Sequence, residues 1–269
     1  MPGTPRQKLR SLELFSGAGG LALGTHDAGF RHVAVLEWNP DACQALRANA
    51  AAKAVQGISR WSVRETDVRS VDFATSFPQV DLVAGGPPCQ PFSIGGKHRG
   101  MEDGRDMIPQ FIRAVREQAP RAFILENVRG LTRQSFRNYF QYALLQLTYP
   151  TVARKSDETW LRHLERLEDL HTKGRTHDLR YNVVHRALNA ANYGVPQTRE
   201  RVFVVGFRAD CATTWRFPEA THSRDALLHD QWVSGDYWER HRQRRPSAVP
   251  STVVARIRHL EKQPPALKP

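Results

Sequence analysis

Apolar and polar positions alternate along the first two hundred residues in blocks, short apolar runs trading places with longer amphipathic stretches. Leu9 to Phe15 reads as a strand, and a glycine turn then opens a helix over Gly19 to Gly29. His32 to Glu37 is a second strand. A helix follows from about Pro40 to Lys53, with Asn39 placed to cap it and Pro40 suited to its first turn. A third strand should end near Asp67. Val80 to Ala84 and Ala122 to Glu126 are further apolar runs, separated by a helical stretch around Met107 to Gln118, and Arg201 to Phe207 is another strand. Strands alternating with helices in this way predict an α/β fold, a doubly wound and mostly parallel sheet with helices on both faces.

Two regions break that rhythm. Lys155 to Arg180 is highly charged, with Leu161, Leu164, Leu167 and Leu170 spaced by three, the pattern of a surface helix with one apolar stripe inserted beside the core. Past Phe207 the alternation stops. Residues 240–269 carry eight Lys or Arg against the single acid Glu261, with five prolines, and read as a solvated, poorly ordered tail.

A length of 269 residues suffices for one large α/β domain or for one domain plus a fragment of another. The net charge of +12 favours a polyanionic partner and shifts the odds toward nucleic acid. Three scattered cysteines, Cys43, Cys89 and Cys211, form neither a disulfide framework nor a zinc pattern, which suits a reducing cytoplasm. No 18-residue apolar run and no apolar N-terminal segment is present, so neither a membrane span nor a secretory signal is expected.

Candidate chemistry sits where strands end. Gly86-Pro87-Pro88-Cys89-Gln90-Pro91-Phe92-Ser93 follows the Val80 to Ala84 run, placing a thiol on a proline-stiffened loop at the ligand-binding edge of an α/β sheet. Cys89 is a candidate nucleophile there; the alternative is a small buried hydrophobe. Glu126 and Asn127 end another apolar run at the same edge, as a helix cap or as an acid beside the thiol. Arg199 and Arg201 alternate onto one side of an extended backbone, as surface salt-bridge partners or as two guanidinium groups aimed at one site. At the other end, Gly17, Gly19 and Gly20 let the backbone approach a ligand at a helix N-terminus, but their spacing misses the dinucleotide fingerprint. Glu37 lies twenty residues past Gly17, placed for ribose hydroxyls, Trp38 offers an aromatic face to an adenine, and Asp67 an acceptor for its amino group. Jointly they describe an adenosine pocket.

In this order the motifs resemble those of the C5-cytosine DNA methyltransferase family. Phe-Ser-Gly-Ala-Gly-Gly at 15–20, Glu-Trp-Asn-Pro at 37–40 and Asp67 resemble its S-adenosylmethionine site. Pro-Pro-Cys-Gln-Pro-Phe-Ser at 87–93, Glu-Asn-Val at 126–128 and Gln-Thr-Arg-Glu-Arg at 197–201 resemble its catalytic motifs, and Ser93 to Arg105 resembles its DNA-closing loop. The resemblance spans about residues 9–207 and implies the Rossmann-like fold of S-adenosylmethionine-dependent methyltransferases. It implies a cofactor site built from Phe15, Ser16, Gly17, Gly19, Gly20 and Leu21, from Glu37, Trp38, Asp67 and Val68, and from Gly86 and Pro88. No metal is implied; the product would be S-adenosylhomocysteine.

The implied reaction is methylation of C5 of a cytosine flipped out of duplex DNA, in a bacterial restriction–modification setting, through a covalent Cys89 adduct. Glu126 would hydrogen-bond the base while Arg199 and Arg201 position base and phosphate. The reading divides the chain into a catalytic domain over 1–210, with the charged insertion near 154–180, and an incomplete, partly disordered connecting region over 211–269. The family's closing asparagine motif does not appear after Phe207, so the reading calls for a second polypeptide carrying the target-recognition domain. The alternatives are a tRNA cytosine-5 methyltransferase of the same fold and an inactive, truncated nucleic-acid-binding remnant.

Overall fold

The computed structural model describes residues 8–52, 56–88, 106–174 and 178–269. Cys89 and the Ser93 to Arg105 stretch lie outside the described residues. No helix among the described residues is long and apolar enough to cross a membrane.

The chain divides into two compact units, Met1–Arg186 with Val202–Trp215, and Ala187–Arg201 with Arg216–Pro269. The first unit opens with β1 (Arg10–Leu14), α1 (Gly20–Asp27), β2 (Arg31–Glu37) and α2 (Pro40–Ala51). Next come β3 (Val63–Glu65), the single-turn α3 (Phe73–Ser76), β4 (Leu82–Gly85), α4 (Ile108–Gln118) and β5 (Ala122–Val128). After α5 (Arg137–Thr148) and α6 (Trp160–Thr172), the strands β6 (Tyr181–Asn189) and β7 (Glu200–Arg208) complete a seven-stranded sheet of order β3-β2-β1-β4-β5-β7-β6. The pairings β1·β2, β2·β3, β1·β4 and β4·β5 are parallel. Strand order reverses between β1 and β4, and the crevice outside their carboxyl ends is where a doubly wound sheet receives ligands.

Local sequence explains the elements that frame that crevice. Asn39 caps α2, its Oδ1 accepting from the Asp41 and Ala42 amides at 2.9 and 3.1 Å, with Pro40 in the first turn. On α4, Ile108, Phe111, Ile112 and Val115 recur at helical spacing and are all buried. β1 is buried on both faces, as parallel strands are, with Leu12 and Leu14 in the main core and Ser11 and Glu13 turned toward α1. Gly206 of β7 is obligatory, since a Cβ there would stand 2.2 Å from the Phe123 ring.

In α6 the expected leucine stripe is only partly used. Leu164 and Leu167 pack with Tyr142, Leu145 and Tyr149, whereas Leu161 is half exposed. A spacing of three loses about 60° per step around a helix, so the first leucine rotates off the packed face.

The second unit contains α7 (Arg224–His229), α8 (Asp236–Arg240) and α9 (Val254–Leu260). The basic segment expected as a poorly ordered tail differs from that expectation. Val253, Ile257 and Leu260 recur at helical spacing and close an apolar cluster with Leu228 and Trp232. Arg256 pairs with Asp225, and backbone bonds join Lys268 to Thr221 and Ser223.

Candidate cofactor pocket and catalytic edge

Immediately after β1 the chain must turn out of the sheet and return as α1 within five residues. Phe15 and Gly17 both adopt left-handed φ values, +54° and +52°. Gly19 has φ +91°, a conformation strained for any other residue, and a Cβ there would meet Leu46 Cδ2 at 2.6 Å and push it aside. No side chain caps the N-terminus of α1 and no acid sits in its first turn. Ser16 fastens the turn to β2, its amide and hydroxyl both donating to the Leu36 carbonyl.

Glu37 organises the next wall. Its Oε2 accepts from the Gly17 amide at 2.7 Å, and its Oε1 from the Trp38 and Asn39 amides at 3.0 and 2.9 Å. One carboxylate thus ties the glycine turn to the start of α2 and keeps acceptor capacity at the cavity wall. Trp38 beside it is 67 % exposed, an aromatic face without a cover.

The far wall is the turn after β3. The Asp67 carboxylate is held by Arg69, whose Nε and Nη2 donate to Oδ2 at 2.9 and 2.5 Å. That guanidinium holds the Asp67 carboxyl below its ordinary range. The turn itself is clamped from below. Arg113 of α4 donates to the Val68 and Val71 carbonyls at 2.6 and 2.8 Å, lies over the Phe73 ring and pairs with Glu117. Glu117 in turn accepts from the Phe73 amide at 3.0 Å.

These walls enclose a cavity of about 360 Å³. Phe15, Gly17, Glu37 and Trp38 line one side; Asp67 and Val68 the other; Gly86 and Pro88 the floor toward β4. Ser16, Gly19, Gly20 and Leu21 build the turn and the first turn of α1 without lining the cavity. Leu36, Thr66, Arg69 and Met107 also line it and were not read from the sequence. Leu36 and Thr66 adjoin residues that were; Arg69 and Met107 carried no local signal.

A second edge meets the cavity at the end of β4. Gly85 lies so close to β1 that a Cβ would stand 2.7 Å from the Leu14 carbonyl oxygen. At Gly86 a Cβ would meet Glu126 Oε2 at 3.0 Å, so the Glu126 carboxylate lies directly against the backbone that leads to Cys89 in the chain. The buried Asn127 donates through Nδ2 to the Pro87 carbonyl at 3.1 Å, and its Oδ1 accepts from the Val128 amide. The Glu-Asn pair therefore grips the Gly-Pro-Pro segment from the neighbouring strand. Arg199 and Arg201 belong to the second unit. There the Arg199 amide donates to Asn189 Oδ1 at 3.1 Å, and Arg201 reaches the Glu200 carbonyl.

Behind the glycine turn lies a buried polar cluster. His32 Nε2 donates to the Ala22 carbonyl at 2.9 Å, which fixes the proton on that nitrogen; Nδ1 faces Ser11 Oγ at 2.7 Å and Glu13 Oε1 at 3.3 Å. Thr25 of α1 donates to Glu13 Oε1 at 2.7 Å. Burial pushes the Glu13 carboxyl up to about 7 and the His32 imidazole down to about 4.

Residues 9–149 and 161–259 match the family model described as C-5 cytosine-specific DNA methylase. The chain belongs to that family. It is 36 % identical over 219 residues to the Type II methyltransferase M.AquIA of Picosynechococcus sp., covering 78 % of this chain and 76 % of that one. It is 35 % identical over 237 residues to M.NgoMIV of Neisseria gonorrhoeae, covering 85 % and 64 %. Two solved structures share the fold. A candidate DNA modification methyltransferase encoded within an E. coli prophage superposes with a TM-score of 0.53 at 24 % identity, covering 77 % of this chain and 49 % of that one. A Spodoptera frugiperda DNMT2 mutant superposes at 0.51 and 20 %, covering 78 % and 53 %. Among these methylases the chain spans about half the length of the solved relatives and 64 % of M.NgoMIV.

Proposed function

We propose that this chain is the catalytic part of a DNA (cytosine-5)-methyltransferase of a type II restriction–modification system, acting on bacterial DNA in the cytoplasm. The observation that carries the reading is the Glu126–Asn127 grip on Gly86 and Pro87 beside the cavity. It puts an acid against the segment that delivers the only cysteine in a Pro-Cys-Gln motif.

The cavity's donors and acceptors fit an adenosine. Glu37, with three backbone amides already on its carboxylate, offers its remaining lone pair to a ribose hydroxyl, Trp38 an aromatic face, and Asp67 an acceptor at the base edge. When bound, S-adenosylmethionine supplies an electrophilic methyl group. The chain's task is to make cytosine C5 a nucleophile. The Cys89 thiolate forms a bond to C6, and the C5–C6 π electrons pass into an enamine centred on C5. Glu126 hydrogen-bonds the N3 and amino edge of the base and stabilises the charge that develops as the thiolate adds. Arg199 and Arg201 position the base and a phosphate. After the methyl group is transferred, a base removes the C5 proton, the C5–H electrons restore the double bond, and the C6–S bond breaks to return the thiolate. The cytosine is extruded from the duplex for these steps.

The chain spans about half the length of the solved relatives, and target recognition by a second polypeptide is the part of the proposal that the assay with and without a partner decides. Methyl transfer to unmethylated duplex DNA, with nucleoside analysis of the product, tests the proposal. The expected product is 5-methylcytosine, formed by the chain together with the neighbouring gene product and lost in Cys89→Ala. Methylation of adenine, or of the cytosine amino group, would overturn it. Full activity of the chain alone would remove the second polypeptide.

A further inference from the structure

The acceptor at the adenine end of the cavity is already engaged on both oxygens by Arg69. Asp67 Oδ1 accepts from the Arg69 amide at 2.9 Å and from Arg69 Nε at 3.1 Å, while Oδ2 accepts from Nε and Nη2 at 2.9 and 2.5 Å. These four contacts come from three N–H groups, the single Nε–H being shared between the two oxygens, so one residue engages both oxygens and takes up about three of the carboxylate's four lone-pair sites. The Arg69 guanidinium makes no other polar contact among the described residues, and its side chain is half exposed. The backbone, by contrast, is fastened. The Thr66 amide donates to the Glu37 carbonyl at 2.8 Å and Arg113 holds Val68 and Val71. Asp67 therefore cannot be freed by shifting its turn; only the Arg69 side chain can leave.

We propose that Arg69 is an affinity- and specificity-setting residue of this pocket, its guanidinium standing in for the ligand's exocyclic amine on Asp67 and being displaced when that amine arrives. This rests on the adenosine reading given above. The two donors compete for one acceptor, so Arg69 weakens binding of an adenine ligand by whatever the Asp67–Arg69 pair is worth. It also softens discrimination against a base bearing a carbonyl in place of the amine. Such an oxygen would be repelled by a bare Asp67 and is tolerated while a guanidinium covers it.

The test is calorimetric, with S-adenosylhomocysteine as the probe and S-inosylhomocysteine as the carbonyl analogue. An exposed pair of this kind is worth little in water, so Arg69→Gln should bind S-adenosylhomocysteine about three- to fivefold more tightly than the wild type. The gap should shrink as salt screens the pair, and S-inosylhomocysteine should gain nothing. In an Asp67→Ala background, Arg69→Gln should change nothing further. Unchanged or weaker binding of S-adenosylhomocysteine by Arg69→Gln would overturn the proposal, as would an equal gain in the Asp67→Ala background. Failure of the underlying reading looks different. In that case the wild type would not bind S-adenosylhomocysteine, or Glu37→Ala and Asp67→Ala would both bind it as tightly as the wild type.

Discussion

Replacing Glu13 by Gln tests whether burial shifts the Glu13 and His32 protons in opposite directions. Burial lifts the Glu13 carboxyl from 4.5 to about 7 and lowers the His32 imidazole from 6.5 to about 4. In the window between 4.5 and 6.5, folding adds a proton at Glu13 and removes one at His32. The raised Glu13 contributes stability that is complete below 4.5 and is lost as pH rises through 7. The lowered His32 contributes stability that is complete above 6.5 and is lost as pH falls through 4. From pH 7 to pH 5 the first contribution grows by about 2 kcal/mol and the second shrinks by about 2 kcal/mol. They nearly cancel in the wild type. Glu13→Gln keeps the shape and an acceptor for Thr25 but removes the compensating half. Its stability relative to the wild type should therefore drop by about 2 kcal/mol between pH 7 and pH 5, and that of His32→Gln should rise by about as much. Urea unfolding at both pH values, followed through the six tryptophans, measures this, and comparison with the wild type cancels every other titrating group. A difference independent of pH in both variants would refute the opposed shifts.

Three further outcomes follow from the pocket. Arg113→Ala removes two charge-assisted bonds to the Val68 and Val71 carbonyls; it should cost about 3 kcal/mol of stability and weaken S-adenosylhomocysteine binding, measured by calorimetry, about tenfold. Arg113→Lys should recover only part of the loss, because one ammonium lacks the planar fork that spans both carbonyls. Glu37→Ala deletes the ribose acceptor and the Gly17 anchor together, and about a hundredfold loss of S-adenosylhomocysteine affinity is expected. Asn127→Ala leaves the Pro87 carbonyl unpaired, so kcat should fall about tenfold or more in a methyl-transfer assay while the dissociation constant for S-adenosylhomocysteine holds.

The elements that frame the site were legible because their signals are local. The apolar runs of β1, β2, β4 and β5, the Asn39-Pro40 start of α2 and the helical spacing on α4 each announce themselves within a dozen residues. β6 did not, because it is largely exposed along most of its length and shows neither alternation nor a buried run. The helix α9 was obscured by the charges and prolines around Val253, Ile257 and Leu260, three positions that acquire meaning only against Leu228 and Trp232. The same limit applied to the site. Glu37 ends β2, Trp38 and Asp67 follow strand ends, and all three were read from position. Arg113 reaches Val68 across 45 residues, and Arg69 matters through the carboxylate it covers, which no spacing rule records.

Cytosine-5 chemistry through Cys89 is the central claim, and a trapped adduct tests it most directly. A duplex carrying 5-fluorocytosine has no C5 proton to lose, so the C6–S bond cannot break after methyl transfer. Incubation with S-adenosylmethionine and the neighbouring gene product should yield a denaturation-resistant complex of this chain with DNA, its crosslinked peptide containing Cys89 and one added methyl group on the base. No complex from the wild type, or an equal yield from Cys89→Ala, would contradict the account.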